Sequence, residues 1–368
     1  MPKPSVRFQI QPTVSHYREP LIRRLLRSEP LTLRLTGRFS NTEVSSAERI
    51  ESAAQDVLRS VSAVRTLSLG PWWWQVGDVA AVWRGEEDAY VLEGRFYTLS
   101  AWVAGAVGKL RGRTVILWGH GWKRPESGWK RRTRLAFYRL VDGLLVYGER
   151  AEELGVEYGV PSHKIHVVFN SLYPQAALSA RSEPPPSEAP TVIYSSRLTP
   201  RHRLDPLAEA LAAWPQGQPR PRVIVIGDGS ERPRLEQLFA DQQLDADFLG
   251  PVYDVEQLRQ LYSQAHLALS IGGAGLNVIQ ALSFGVPVVA EAGHPDSSPE
   301  IEAVIEGRTG RCYDGSAEDL RAVLTDALAD PSQLRQMADE GLRLVRERYT
   351  AERHAEAIET ALVRLIRR

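Results

Sequence analysis

Three glycines, Gly272, Gly273 and Gly275, lie between a short apolar strand pattern and the start of a helix pattern. A strand that leads through a glycine turn into a helix leaves unpaired backbone N–H groups at the positive end of the helix dipole, and such groups bind phosphate. Because glycine has no Cβ, the backbone can approach an anion closely. A tight strand–helix connection without any ligand has the same pattern, so neighbouring residues must decide between the two.

Two side chains outside this turn are suited to binding chemistry. Arg197 follows an apolar strand pattern at 191–195, and a guanidinium at the carboxyl end of a parallel sheet can bind a phosphate with two hydrogen bonds. His120 lies between two glycines directly after another strand pattern, which places it where a cleft would be. The alternatives are a surface arginine in a loop and a loop histidine held by backbone groups.

The composition excludes several classes of protein. With 368 residues, two domains are expected. Lysine plus arginine and aspartate plus glutamate both number 45, so the net charge gives no reason to expect a nucleic-acid partner. Cys312 is the only cysteine, which rules out intrachain disulfides and fits a reducing cytosol. No run approaches the roughly 20 apolar residues that cross a bilayer, and the N-terminus lacks a signal-peptide core.

The order of patterns predicts two α/β domains. Short strands are expected at 6–10, 31–35, 65–69, 89–92, 115–118, 144–147, 165–169, 191–195 and 222–226, and helices at 98–110 and 131–141. The proline-rich stretch 182–190 predicts a linker. Helix starts are predicted at Asp205, as an N-cap before Pro206, and at Ser316, in a capping box with Asp319. A last helix is predicted over 351–366.

Several blocks of the second half resemble a known family. The segments SSRLTPRHRLD at 195–205, VIVIGDG at 223–229, 247–270 and GGAGLNVIQALSFGVPVV at 272–289 match in order and spacing, and 298–314 resembles the Pro-Glu loop of the same family. Together they resemble the donor-nucleotide domain of GT-B glycosyltransferases, particularly the retaining enzymes of glycosyltransferase family 4. The resemblance implies an α/β fold with two Rossmann-like domains that face each other across a cleft.

The resemblance also implies domain roles and site residues. It assigns 1–175 to acceptor binding, 176–348 to donor binding, and 349–368 to a helix that packs back on the first domain. Residues expected to bind the donor diphosphate are Arg197, His202, Arg203, Gly273, Gly275, Leu276 and Asn277. Gln280 and Glu300 are expected at the ribose or sugar, His120 as the catalytic residue at the sugar, and His16, Arg18 and Trp122 at the acceptor or cleft.

The sequence departs from the family pattern at three positions. The family has two glutamates eight positions apart, where this chain has Gly272 and Gln280, and it has a lysine where this chain has His202. Gln280 still offers a carbonyl acceptor. Arg201 and Arg203 flank His202, so positive charge is expected to persist there. Glu300 is a candidate to supply the missing carboxylate, and a solvated surface glutamate is the alternative.

Residues 123–139 combine many basic residues with Trp129, Phe137 and Tyr138. This pattern suits an anionic membrane surface or a lipid-pyrophosphate acceptor, and a solvated helix with its aromatic residues in the core is equally compatible. The pair Asp245 and Asp247 is interpreted as an accidental match to a metal-binding motif. Neither a metal nor a cofactor is expected.

The sequence thus predicts a cytoplasmic glycosyltransferase, with peripheral association at the cytoplasmic face of the inner membrane as one option. The resemblance implies retaining, metal-independent transfer of a hexose-type sugar from a nucleotide diphosphate sugar to a lipid-linked or glycan acceptor. A non-catalytic nucleotide-sugar-binding subunit of a glycan assembly complex is the main alternative, and a sugar-nucleotide epimerase is another.

Overall fold

The computed structural model describes residues 2–39, 51–180 and 189–366. The predicted linker at 182–190 therefore lies almost entirely outside the described residues. The chain forms two compact units. Unit 1 contains the described residues up to Leu172 together with those from Ala351 onwards, and unit 2 contains those from Tyr173 to Thr350.

Unit 1 is built on a parallel sheet with the strand order β3-β2-β1-β6-β7-β8-β9. Apolar residues on the central strands form its core, and helices cover both faces. The strands are β1 Ser5–Ile10, β2 Thr32–Gly37, β3 Ser62–Ala63, β4 Thr66–Leu69, β5 Trp72–Gln75, β6 Ala89–Glu93, β7 Thr114–Gly119, β8 Gly143–Val146 and β9 Ile165–Val167. The helices are α1 Glu19–Leu25, α2 Gln55–Arg59, α3 Asp78–Arg84, α4 Leu99–Arg111, α5 Gly128–Arg139 and α6 Glu149–Glu157.

One strand predicted in unit 1 is present but does not belong to the main sheet. The segment 65–69 is expected to be a buried strand of the main sheet, but β4 pairs antiparallel with β5 in a separate two-stranded hairpin. Leu67 and Trp72 remain more than a third exposed. A run of alternating apolar residues has the same appearance in a hairpin and in a parallel sheet, so the pattern alone does not decide between them.

Unit 2 has a six-stranded parallel sheet with the order β12-β11-β10-β13-β14-β15. This order reverses between β10 and β13, which is the arrangement of a Rossmann fold, and ligands bind such sheets outside the carboxyl ends of the strands at the reversal. Its strands are β10 Thr191–Ser195, β11 Arg222–Ile226, β12 Ala246–Gly250, β13 Leu267–Ser270, β14 Val288–Glu291 and β15 Gly310–Tyr313. Its helices are α7 Asp205–Ala212, α8 Arg232–Asp241, α9 Val255–Ser263, α10 Leu276–Ser283, α11 Ala317–Ala329 and α12 Pro331–Arg348.

The predicted helix starts of unit 2 have different outcomes. Ser316 Oγ accepts a hydrogen bond from the N–H of Asp319 at 3.2 Å, so this N-cap is confirmed. The prediction for Asp205 is wrong by one residue, because Leu204 is the N-cap and α7 begins at Asp205 itself. The Asp205 carboxylate instead pairs with Arg234 at 2.7 Å.

The last helix, α13 Ala351–Ile366, has the predicted bounds and belongs to unit 1. Its apolar stripe is buried in the same hydrophobic cluster as β1 and α1. This stripe consists of Ala355, Ile358, Ala361, Leu362 and Leu365. The predicted α/β class with two Rossmann-like sheets is confirmed.

Candidate functional site

The glycine turn of unit 2 lies at the reversal of its sheet, directly after β13. Gly272 and Gly273 have φ values of +76° and +102°, a region that glycine adopts readily and that other residues rarely adopt. Gly275 is the N-cap of α10, so the helix begins at Leu276. The turn and the first turn of α10 therefore lie at the sheet edge where open α/β folds bind ligands.

Some N–H groups of this turn are already bound within the protein. Gly272 donates to Glu291 Oε2 at 3.1 Å, Ala274 to Ser297 Oγ at 3.1 Å, and Gly275 to Asn277 Oδ1 at 2.9 Å. The N–H of Gly275 is thus occupied by Asn277, and the diphosphate role of Gly275 stays a prediction. Across the described ranges, the N–H groups of Gly273, Leu276 and Asn277 have no protein acceptor, so these three are the ones available to an anion.

The side chain of Asn277 shapes the turn. Its Oδ1 accepts from Gly275, and its Nδ2 donates to Ser270 Oγ at 3.0 Å. The side chain therefore joins the end of β13 to the start of α10. Asn277 contributes to the anion site through its backbone N–H, while its amide maintains the turn.

Arg197 lies two residues beyond β10, the strand that neighbours β13. Its side chain is exposed, and its guanidinium makes no hydrogen bond or ion pair within the part of the chain that the structure describes. A guanidinium without protein partners at this sheet edge is free to bind phosphate oxygens. The diphosphate role of Arg197 stays a prediction that this position supports.

His202 does not carry the positive charge that a lysine would bring to this position, and its diphosphate role stays a prediction. His202 is 7% exposed, and its Nδ1 lies 3.1 Å from Thr199 Oγ1. Burial, together with the charges of Arg201 and Arg197, lowers the pKa of His202 to about 4, so its imidazole is neutral at pH 7. A hydrogen bond is all that this side chain can offer to a diphosphate.

Arg201 supplies positive charge at the turn instead. Its Nη2 lies 3.2 Å from the place that a Cβ on Gly273 would occupy, and it donates to the carbonyl oxygen of Asp296 at 2.6 Å. Arg203 is exposed. Arg201 therefore contacts the glycine turn, whereas the predicted diphosphate role of Arg203 has no contact with the turn to support it.

Gln280 occupies the position of the second family glutamate on α10. Its Nε2 donates to Ser195 Oγ at 3.1 Å and to the hydroxyl of Tyr262 at 3.3 Å. The amide is thereby oriented with its nitrogen towards the end of β10. Its Oε1 accepts no hydrogen bond from any described residue, so it is available as the acceptor that the sequence predicts for a ribose or sugar hydroxyl.

Two carboxylates lie near the turn, and only one of them was predicted. Glu300 is 2% exposed, so the alternative of a solvated surface glutamate is wrong. Glu291, at the end of β14, accepts from the N–H of Gly272 and from the hydroxyl of Tyr313 at 3.4 Å. Sequence reasoning missed Glu291, although its place at the carboxyl end of the strand beside β13 could have indicated it.

In unit 1, His120 follows β7 at the carboxyl edge of the sheet, where its ring packs edge-on against Tyr147 at 5.1 Å. Burial lowers the pKa of His120 well below its ordinary value, and Lys123, Arg95 and Arg18 lower it further. The imidazole is therefore neutral at physiological pH. Its predicted catalytic role stays a prediction, and any such role uses hydrogen bonding by a neutral ring.

The three residues predicted at the acceptor have different surroundings. Trp122 is 1% exposed and packs on Tyr138 and Tyr158, so the acceptor role predicted for it is wrong. The Nδ1 of His16 lies 3.2 Å from the carbonyl oxygen of Glu51. Arg18 is 3% exposed and lies against Tyr147 and Trp118. His16 and Arg18 thus lie near the end of β1, and their roles at the acceptor stay predictions.

Comparisons with known proteins support the assignment of unit 2. Residues 177–343 match the family model described as "Glycosyl transferases group 1". Over 166 residues, the chain is 32% identical to a GDP-mannose-dependent alpha-(1-6)-phosphatidylinositol monomannoside mannosyltransferase of Mycolicibacterium smegmatis. The match covers 42% of each chain. The alignment thus spans well under half the length of this curated relative.

Solved structures match the whole chain at low identity. Anabaena HepE in complex with UDP has a TM-score of 0.70 and 17% identity, over 98% of this chain and 99% of the other. A putative UDP-N-acetylglucosamine 2-epimerase from Listeria monocytogenes has a TM-score of 0.63 and 14% identity, over 98% and 96%. At such identities these matches show the fold alone. Together the comparisons show a match to the glycosyl transferases group 1 model over residues 177–343 and the fold of these solved structures over the whole chain.

Proposed function

We propose that this protein transfers a hexose from a nucleotide diphosphate sugar to a lipid-linked acceptor. The observation that supports this most directly is the glycine turn of unit 2. It presents the N–H groups of Gly273, Leu276 and Asn277 at the sheet reversal, with Arg197 and Arg201 on the neighbouring loop. The donor diphosphate binds there, and the curated relative's use of GDP-mannose makes this sugar nucleotide the first donor to test.

In the proposed reaction, the bond between the sugar C1 and the diphosphate oxygen breaks, and C1 forms a bond to an acceptor hydroxyl oxygen. The hydroxyl proton passes to the departing diphosphate, and the anomeric configuration is retained. The N–H groups and guanidinium groups stabilise the charge that develops on the leaving oxygen. We propose that these fixed groups do the work of a metal ion, and that the neutral imidazole of His120 hydrogen-bonds the transferred sugar.

The reaction is tested by incubating the protein with GDP-mannose or UDP-glucose and a bacterial lipid extract, and by measuring release of the free nucleoside diphosphate. We expect release that depends on the extract, and a product whose one-bond anomeric carbon–proton coupling indicates the same anomeric configuration as in the donor. The absence of the two family glutamates favours a second candidate, a non-catalytic nucleotide-sugar-binding subunit. Tight nucleotide binding without diphosphate release in any extract would favour that candidate.

Arg197→Ala is expected to weaken binding of GDP or UDP by roughly 10- to 100-fold, because a hydrogen bond to a charged group contributes about 1.5–3 kcal/mol. Binding of the corresponding nucleoside should change less than twofold. Isothermal titration calorimetry of both ligands measures the difference. The matched control is Arg308→Ala, which removes an exposed arginine of unit 2 paired with Glu340. Equal losses for nucleotide and nucleoside would show that Arg197 does not bind phosphate.

We further propose that unit 1 associates peripherally with anionic membranes through α5. Trp129 is 81% exposed on this helix, and Lys130, Arg131 and Arg132 are exposed beside it, whereas Phe137 and Tyr138 are buried in the core. An exposed indole with adjacent basic residues fits the interface of an anionic bilayer. None of the described helices combines the length and apolarity needed to cross a membrane.

Trp129→Glu is expected to reduce binding to vesicles of phosphatidylglycerol about tenfold, since it removes an interfacial aromatic group and adds a negative charge beside three basic residues. Co-sedimentation with vesicles at low salt measures this. Trp83→Glu is the control, because Trp83 is an exposed tryptophan on α3 of the same unit. Equal binding to neutral phosphatidylcholine vesicles, or an unchanged Trp129→Glu variant, would contradict the membrane role of α5.

A further inference from the structure

The carboxyl edge of the sheet in unit 1 brings polar residues from five strand ends together around one arginine. Gln11 follows β1, Tyr147 follows β8, and Asn170 lies just beyond β9. Arg95 and His120 follow β6 and β7. The strand order of this sheet reverses between β1 and β6, so this edge is where a parallel sheet of this kind binds a ligand.

The arginine at the centre is Arg18, and all its hydrogen-bond partners are neutral. Its Nε donates to the carbonyl oxygen of Gln11 at 3.0 Å, Nη1 to Asn170 Oδ1 at 2.6 Å, and Nη2 to the hydroxyl of Tyr147 at 2.9 Å. These bonds use three of its five N–H donors, which leaves two for another acceptor. No carboxylate among the described residues pairs with this guanidinium, although it is 3% exposed.

Nearby cations differ from Arg18 in this respect. Arg95 pairs with the buried Glu93 at 3.1 Å, and Arg134 pairs with Glu126 at 2.9 Å. A buried charge without a counter-charge is costly, and a buried arginine is ordinarily paired. Arg18 therefore lacks the carboxylate partner that balances the charge of Arg95 and of Arg134. Burial lowers the pKa values of His120 and the buried His354, and the charge of Arg18 adds to this effect at both.

We propose that this edge of unit 1 binds a phosphate ester of the acceptor, with Arg18 as the principal ligand and Arg95 and His120 beside it. The inference rests on the proposed function and adds the chemical class of the acceptor. A phosphate is favoured over a carboxylate because its additional oxygens can accept from Arg18, Arg95 and the His120 ring at the same time. A phosphomonoester and a lipid phosphodiester share this chemistry.

The test uses protein saturated with GDP or UDP, so that the diphosphate site of unit 2 is occupied. Glycerol phosphate and dihexanoyl phosphatidylglycerol below its micelle concentration are titrated separately and followed by tryptophan fluorescence. This signal is suitable because eight of the nine tryptophans belong to unit 1, and the Trp118 ring lies 5.1 Å from the Arg18 guanidinium. Saturable binding of either phosphate is expected. A preference for the phosphodiester would identify a lipid source.

Arg18→Gln is expected to weaken this binding at least tenfold, while Arg34→Gln, which removes an exposed arginine of the same unit, should leave it within twofold. If Arg18→Gln does not fold, Arg18→Lys keeps the charge but loses the planar fork, and at least a fivefold loss is expected. Binding of glycerol or glycerate as tight as that of glycerol phosphate would overturn the proposal. So would an unchanged affinity in a folded Arg18 variant.

A second readout separates ligand contact from a structural role of Arg18. A bound phosphate should raise the pKa of His120, followed by NMR of ¹³C-labelled histidine, because a nearby anion favours the imidazolium form. An unchanged His120 pKa at saturating phosphate would also overturn the proposal. Nucleotide binding is measured in the same samples. If the unchanged protein binds nucleotide but neither phosphate ester, this inference alone is refuted. If it binds neither nucleotide nor phosphate ester, the proposed function is refuted as well.

Discussion

Gly272→Glu, which restores the first glutamate of the family pattern, is expected to abolish donor binding and to lower the free energy of unfolding by about 3 kcal/mol. Gly272 has a φ of +76°, where a residue with a side chain is strained by about 1–3 kcal/mol. A Cβ at this position would collide with the carbonyl oxygen of Arg201 and lie 2.8 Å from the Cα of His202. The turn and the loop that carries Arg201 would therefore have to separate.

Chemical denaturation and calorimetric titration of GDP or UDP measure the two effects. Gly275→Ala is the matched control for stability, because Gly275 has a negative φ of −155° and its Cβ would come no closer than 3.8 Å to Asn277 Oδ1. We expect this control to unfold within about 1 kcal/mol of the unchanged protein. A Gly272→Glu variant that is stable and binds nucleotide would show that the turn accommodates a side chain.

This geometry explains why position 272 has no glutamate and why the turn still has a carboxylate. The backbone of Arg201 and His202 packs where the side chain would begin. Glu291 brings a different carboxylate to the same turn, through its hydrogen bond with the N–H of Gly272. The chain thus combines the family's glycine turn with a different set of side chains around it.

The sequence was sufficient for those parts of the site that depend on backbone geometry. Glycine spacing and apolar periodicity predict the turn between β13 and α10, and they also predict α13 with its buried stripe. These features follow from local rules, because each residue type acts on its own segment. The resemblance to the family adds Arg197 at the neighbouring strand end.

Features that depend on tertiary contacts were not predictable in this way. The burial of His202 and its neutral ring follow from packing against segments distant in sequence, and so does the burial of Trp122. The partners of Arg18 come from positions 11, 147 and 170, and no local pattern joins them. Glu291 reaches the glycine turn only because β14 pairs with β13.

Asp78→Asn is expected to stabilise unit 1 by about 2–4 kcal/mol at pH 8 and by almost nothing at pH 4. Asp78 is the first residue of α3 and is fully buried, and neither carboxylate oxygen has a hydrogen-bond partner in the described part of the chain. The pKa of Asp78 is raised from 3.8 to about 7, chiefly by burial; Arg7 opposes this rise and Glu93 contributes to it.

The direction of this pH dependence follows from the number of protons bound in the folded and unfolded states. Above pH 4 the unfolded chain releases the proton of this carboxyl, whereas the folded chain keeps it until the pH approaches 7. The unfolded state therefore binds fewer protons over this interval, and the stability of the folded state falls as pH rises. At about 1.4 kcal/mol for each pH unit, the loss reaches about 4 kcal/mol near pH 7 and then stays constant. Asparagine does not titrate in this range, so the Asp78→Asn variant does not undergo this loss of stability.

Urea unfolding at pH 4.5, 6, 7 and 8, followed by tryptophan fluorescence, tests the predicted pH dependence of stability in unit 1. Glu86→Gln is the control, because Glu86 is an exposed acid of the same unit whose neutralisation should leave the pH profile unchanged. Parallel pH profiles for Asp78→Asn and the unchanged protein would mean that Asp78 is ionised in the folded state. In that case a solvating group must reach a carboxylate that the fold otherwise encloses, because an ionised carboxylate without one is too costly to bury.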